Sequence, residues 1–162
     1  MPPRQSQIWA VLYPQDSVER FMYSLTATFY GRMCLSGPVH DLNDAQMSIV
    51  HRSVALYDKV APIIKKGKTH YLGEAPQNWR DPKGWSGICR MSRDGAEALV
   101  VIHAYEQPET SDLSVELPLE GNWHLEETLE DGSTATPIFE DGTLILPAGK
   151  AFRGYCFWLK RS

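Results

Sequence analysis

Trp123-His124-Leu125-Glu126-Glu127-Thr128-Leu129-Glu130-Asp131-Gly132-Ser133-Thr134-Ala135-Thr136-Pro137-Ile138-Phe139-Glu140-Asp141-Gly142-Thr143-Leu144-Ile145-Leu146 sets two Asp-Gly pairs between runs rich in branched and aromatic residues. An Asp-Gly pair suits a two-residue hairpin, whose central positions take positive φ. A third pair, Asp94-Gly95, separates two further runs of the same kind. The pattern predicts strands at about 85–92, 96–106, 113–117, 123–129, 134–139, 143–146 and 152–160. Short strands at this spacing fit an antiparallel β-sandwich. In the run 123–129, alternation puts Trp123, Leu125 and Leu129 on one face and His124, Glu126 and Thr128 on the other.

Upstream of Gly67 the apolar spacing turns helical. Asn43 and Gln46 form a capping box, Leu42 and Met47 a hydrophobic staple, and Met47, Val50, Val54, Tyr57, Ala61 and Ile64 follow as one helix face. Pro62 bends the last turn, Lys65 and Lys66 suit the C-terminal dipole, and Gly67 is expected as the left-handed residue that ends the helix. An earlier helix is expected from Asp16, with Glu19 completing its cap, through Val18, Phe21, Met22, Leu25 and Phe29 to Gly31. Between the helices, 32–37 reads as a strand, and 7–12 as a strand or ordered loop. Residues 68–83, rich in Pro, Gly and polar side chains, read as a surface connector. A lone strand between two helices leaves open edges, so further chain or a partner is expected to complete its sheet.

Composition narrows the function. The 162 residues are 43% apolar and 22% charged, with net charge −4, as in a folded globular chain too short for a complete (β/α)8 barrel of ~250 residues. Lys65, Lys66 and Lys68 are the only basic cluster, which argues against nucleic acid as partner. No apolar run reaches membrane-spanning length, and Met1-Pro2-Pro3-Arg4 opens no signal peptide. Cys34, Cys89 and Cys156 are odd in number and widely spaced, which suggests reduced thiols and a cytoplasmic location. The five histidines lack metal-ligand spacing, so no metal or other cofactor is expected. The serines lack a nucleophile elbow.

Three strings bring a resemblance: Pro2-Pro3-Arg4-Gln5-Ser6-Gln7-Ile8-Trp9-Ala10-Val11-Leu12, Tyr23-Ser24-Leu25-Thr26-Ala27-Thr28-Phe29 and Gly31-Arg32-Met33-Cys34-Leu35-Ser36-Gly37. With Val54-Ala55-Leu56-Tyr57-Asp58-Lys59-Val60-Ala61-Pro62-Ile63-Ile64, they resemble the closing part of the melibiases, the α-galactosidases of glycoside hydrolase family thirty-six. The resemblance implies an α+β fragment: residues 1–67 as the terminal βα units of a (β/α)8 barrel, then 68–162 as a C-terminal antiparallel β-sandwich domain. It implies retaining hydrolysis of terminal α-galactosides by two aspartates on earlier barrel strands, so no catalytic residue is assigned here. It places Arg4, Gln5, Ser6 and Trp9 in the loop after strand seven and Ser36 and Gly37 at the end of strand eight, as substrate-binding candidates. Pro38 stands where relatives often carry an acidic residue. The implied partners are a carbohydrate substrate, and either the remaining barrel or a second copy of the chain. A variant of this reading changes the sugar, for instance to an α-N-acetylgalactosaminide.

A private catalytic pair is not expected. Glu126 and Glu127 should point to opposite faces of their strand, while Glu106, Glu109, Glu130, Glu140, Asp94, Asp131 and Asp141 fall in turns. The alternative function is a non-catalytic sandwich that binds carbohydrate or protein, with Trp79, Trp85 and Trp123 as stacking surfaces if two rings lie exposed and coplanar.

Overall fold

A computed structural model describes residues 2–74, 78, 80–105, 112–130, 136–147 and 152–162. Asp131-Gly132, Trp79, Glu106 and Glu109 lie outside the described residues. The chain begins with β1 (Gln7–Val11), α1 (Val18–Ala27), β2 (Arg32–Ser36) and α2 (Asp44–Lys66). Eight strands follow: β3 (Lys68–Gly73), β4 (Trp85–Met91), β5 (Glu97–Ala104), β6 (Leu113–Glu116), β7 (Trp123–Leu129), β8 (Ile138–Glu140), β9 (Thr143–Leu146) and β10 (Arg153–Arg161). They form an antiparallel five-stranded sheet, order β3-β4-β5-β10-β7, facing a three-stranded sheet, order β6-β9-β8.

The hairpins form where the turn residues place them. Asp94 accepts from the Ser92 hydroxyl at 2.6 Å and the Ala96 amide at 3.1 Å, closing the β4–β5 turn. Asp141 and Gly142 both take positive φ between β8 and β9. One expectation fails. The stretch read as a surface connector begins with β3, an edge strand paired along its whole length with β4. Its side chains are polar on both faces apart from Tyr71 and Leu72, which hid it from a search for apolar alternation.

Strand β7 departs from strict alternation. Its pairing with β10 shifts between Trp158 and Leu159: Leu159 faces Leu125, while Trp158 faces Glu127, so Glu126 is the extra residue of a bulge. Trp123 and Leu125 therefore pack between the two sheets, whereas Leu129 joins the core on the opposite face, beneath the helices. Glu126 and Glu127 do not point to opposite faces as expected. Both pair with lysines beside the Trp158 ring: Glu126 with Lys160 at 3.2 Å, Glu127 with Lys59 at 2.6 Å. The two ammonium groups stand 4.3 and 5.8 Å from the centre of that ring.

Both helices lie on the face of the five-stranded sheet turned away from the three-stranded one. Met22, Phe29, Leu56, Val60, Ile63 and Ile64 meet Ile88, Leu99, Val101 and Trp158 there. On their other side, Phe21, Leu25 and Val50 pack against Ala10 and Leu12 from β1 and the residue after it. The order of layers is thus two-stranded sheet, helices, five-stranded sheet, three-stranded sheet. One core joins helices of the first 67 residues to strands beyond them.

The capping box of α2 forms as expected, and the helix runs through Pro62 to Lys66. Its buried face is rotated from the expected stripe. Val50, Ser53, Leu56, Val60, Ile63 and Ile64 are buried, while Met47, Val54, Tyr57 and Ala61 are half-buried. The helix is covered on two sides, so its buried arc exceeds a single stripe. Tyr57 nevertheless accepts from the Met33 amide at 3.1 Å and donates to the Gly31 carbonyl at 3.0 Å, tying α2 to the start of β2. Gly67 is not left-handed: φ is −70°, and what demands glycine is crowding by the carbonyls of Ile63 and Met91. The cap of α1 is Ser17, not Asp16, which accepts from the Tyr13 amide and pairs with Arg20.

Polar contacts fasten this helical layer to the sheet. Buried His103 on β5 sits against Tyr23, Thr26 and Tyr30. Its Nε2 lies 3.2 Å from the Tyr23 carbonyl, an obligate acceptor, so Nε2 carries the proton and Nδ1 accepts from the Tyr30 hydroxyl at 3.1 Å. Buried Arg90 on β4 donates to Thr69 Oγ1 at 2.8 Å and to the carbonyls of Phe29 and Tyr30 at 3.4 and 3.1 Å. A cation there neutralises the C-terminal dipole of α1 and its closing 3-10 turn.

Candidate functional site

The exposed face of the β1–β2 pair is the feature that calls for a function. The strands run parallel with α1 as crossover, and register aligns Gln7 with Arg32, Trp9 with Cys34 and Val11 with Ser36. The intervening residues Ala10 and Leu35 turn toward the helices. The outer face is left uncovered, with Trp9 58% exposed and Val11 38%. Parallel strands normally have both faces covered. Here one face is open and, among the described residues, neither strand has a neighbour on its far edge.

The six candidate residues divide between the ends of this small sheet. Ser36 is the last residue of β2, and its carbonyl accepts from the Leu12 amide at 3.0 Å. Gly37 follows with φ +93°, and a Cβ there would stand 2.3 Å from the Leu12 carbonyl oxygen, so only glycine fits. Trp9 lies at mid-strand on the open face. Arg4 and Gln5 belong to a 3-10 turn that precedes β1, and Ser6 follows them. The Ser6 carbonyl accepts from the Arg32 amide at 2.7 Å, at the N-terminal end of β2. The expected position of Arg4, Gln5 and Ser6 in a loop after a strand is thus corrected. They sit a strand's length from Ser36 and Gly37, because the strand begins after them. Trp9 also belongs to the strand itself.

Gln7, Val11, Arg32 and Cys34 share the open face and were not singled out from the sequence. Period-two alternation in the two five-residue runs was the available signal.

Carboxylate chemistry is absent from this face, since neither β1 nor β2 contains Asp or Glu. Glu126 and Glu127 do share a neighbourhood, but each is held by a lysine. The hydrogen bond from Lys160 pulls Glu126 below its usual pKa, opposite to what a general acid needs. Among the described residues, no three His, Cys, Asp or Glu side chains gather to hold a metal. The three cysteines are free, and burial pushes the Cys89 thiol up to about 12 and Cys156 well above the ordinary value. Trp85 and Trp123 are half-buried against the core between the sheets and do not form an exposed coplanar platform.

No family model matches the chain, and no curated protein does. Solved structures do. A variant of the GH36 α-galactosidase AgaA from Geobacillus stearothermophilus, in complex with 1-deoxygalactonojirimycin, aligns with TM-score 0.68 at 16% identity, over 97% of this chain and 22% of its own. The galactosidase domain of the α-galactosidase–sucrose kinase AgaSK aligns with TM-score 0.67 at 16% identity, over 97% and 22%. The α-galactosidase from Lactobacillus brevis aligns with TM-score 0.63 at 15% identity, over 96% and 22%. The chain thus spans about a fifth of the length of these structures, and the likeness is one of fold: that of a C-terminal portion of a GH36 α-galactosidase.

Proposed function

We propose that the chain is the closing part of an α-galactosidase-like glycoside hydrolase, with β1-α1-β2-α2 as the last two βα units of a (β/α)8 barrel and residues 68–162 as its C-terminal sandwich. The observation that carries this reading is the parallel β1–β2 pair, whose open face and edges are what two strands cut from a larger parallel sheet present. Further strands pair with β1 and β2 and bring the two carboxylates that retaining hydrolysis requires ~5–5.5 Å apart. In such a barrel the substrate lies at the C-terminal ends of the strands. Ser36 and Gly37 then border the sugar, and Trp9 faces the barrel interior. Arg4, Gln5 and Ser6 lie at the opposite end and drop out of the substrate-binding set. Terminal α-galactosides are the proposed substrates, a reading supported by structures of the similar AgaA in complex with raffinose and stachyose. The three free cysteines support a reducing, cytoplasmic location.

The test is complementation. The 162-residue chain alone should show no hydrolysis of a chromogenic α-galactoside. Joined to a polypeptide carrying the first six barrel strands of a GH36 enzyme, it should restore turnover. A well-folded joined protein without activity would count against the reading, and so would turnover by the chain alone that one internal Asp or Glu substitution abolishes.

A further inference from the structure

A groove of about 620 Å³ crosses one end of the five-stranded sheet, on the face that the three-stranded sheet covers elsewhere. Lys68 and His70 of β3 enter it from one edge of the sheet, Arg161 of β10 and Trp123 of β7 from the other, and the segment 117–120 walls it. Trp123 and Arg161 are register partners, so the indole and the guanidinium are neighbours on one face. The indole is held in place. The Trp123 Nε1 donates to the Glu120 carbonyl at 3.1 Å, and the Arg161 guanidinium lies over Gly121, with Nη2 3.2 Å from where a Cβ would stand.

Charge defines what the groove takes. Lys68 and Arg161 have no carboxylate partner among the described residues, and Glu120 is the one acidic residue in the lining. A concave cationic site in a chain of net charge −4 selects an anion. The strands that carry Lys68 and Arg161 are three spacings apart, about 14 Å across the sheet, so the two cations approach the groove from different sides. An elongated ligand with separated negative charges would use both. The half-buried indole beside a guanidinium adds an apolar surface suited to the C–H groups of a sugar ring.

We propose that this groove binds an acidic oligosaccharide, a short sugar chain bearing carboxylates, with Arg161 and Lys68 receiving separate carboxylates and Trp123 packing against a terminal ring beside Arg161. The site is remote from β1 and β2 and does not depend on the hydrolase reading.

Titration of the full 162-residue chain by NMR with trigalacturonate tests it. Saturable shifts should appear at Trp123, Lys68 and Arg161 and weaken as salt rises, with a neutral galactotriose binding at least about tenfold more weakly. Arg161→Gln and Lys68→Gln, both at exposed positions, should each weaken trigalacturonate at least about fivefold at unchanged Tm. No saturable binding at millimolar trigalacturonate would overturn the proposal. So would equal affinity for the neutral trisaccharide, equal affinity for inorganic phosphate, or binding that neither substitution weakens.

Discussion

A Cβ on Gly154 would stand 2.1 Å from the hydroxyl oxygen of Thr26, so α1 rests on β10 at a separation that only glycine permits. Thr26 itself is fully buried and donates back to the Met22 carbonyl at 2.8 Å. The His103 Nε2 lies 3.0 Å from the same would-be Cβ. Helix, sheet and imidazole therefore meet at one point without spare volume.

Gly154→Ala should destabilise the chain by about 1–3 kcal/mol through overpacking. In a Thr26→Ala background the cost of Gly154→Ala should fall by at least about 0.5 kcal/mol, because the nearest obstacle is gone. Urea unfolding of the four proteins measures the coupling. Strict additivity would mean that the helix backs away freely and that the close approach is not enforced.

Burial holds the His103 imidazole down at about 4, well below the 6.5 of a free imidazole, and its hydrogen bond to the Tyr23 carbonyl only partly opposes this. The folded pKa lies below the unfolded one, so the unfolded chain binds the extra proton. Stability from this group is intact above about pH 6.5 and is lost as pH falls from there toward 4. The loss between pH 7 and pH 5 should be roughly 2 kcal/mol. His103→Gln should be less stable at pH 7 but flatter with pH across that window, as read from urea midpoints. A wild-type midpoint that rises from pH 7 to pH 5 would contradict the assigned neutral state.

The rotated face of α2 predicts a graded response. Leu56→Ala, at a fully buried position, should cost about 2–4 kcal/mol. Val54→Ala, at a half-buried position, should cost about 1 kcal/mol, and exposed His51→Ala less than about 0.5 kcal/mol. Thermal unfolding ranks the three. A larger loss at Val54 than at Leu56 would restore the stripe first read from the sequence.

Local chemistry was legible from the residues alone. The Asp94-Gly95 and Asp141-Gly142 turns, the Asn43–Gln46 capping box and the helix–strand–helix order at 18–66 each depend on neighbours within a few positions, and the structure shows all of them. The bulge at Glu126 was not legible, because it arises from the register of β7 against Trp158 and Leu159, some thirty residues away. It moves Leu129 to the opposite core and brings Glu126 and Glu127 to one side. Arg4, Gln5 and Ser6 were misplaced because the strand begins only at Gln7, after them, a boundary that the parallel pairing with β2 fixes.

By itself, then, the sequence determined most of the strands and helices and where most of them turn, since propensity, caps and turn residues act over short range. Only the tertiary structure decided which faces meet. The arc of α2 that is buried, the edge strand β3, the Gly154–Thr26 approach and the groove joining Lys68 to Arg161 all come from contacts between residues far apart in the chain. Such contacts leave no periodic signature, because each side chain's neighbour is set by how whole layers stack.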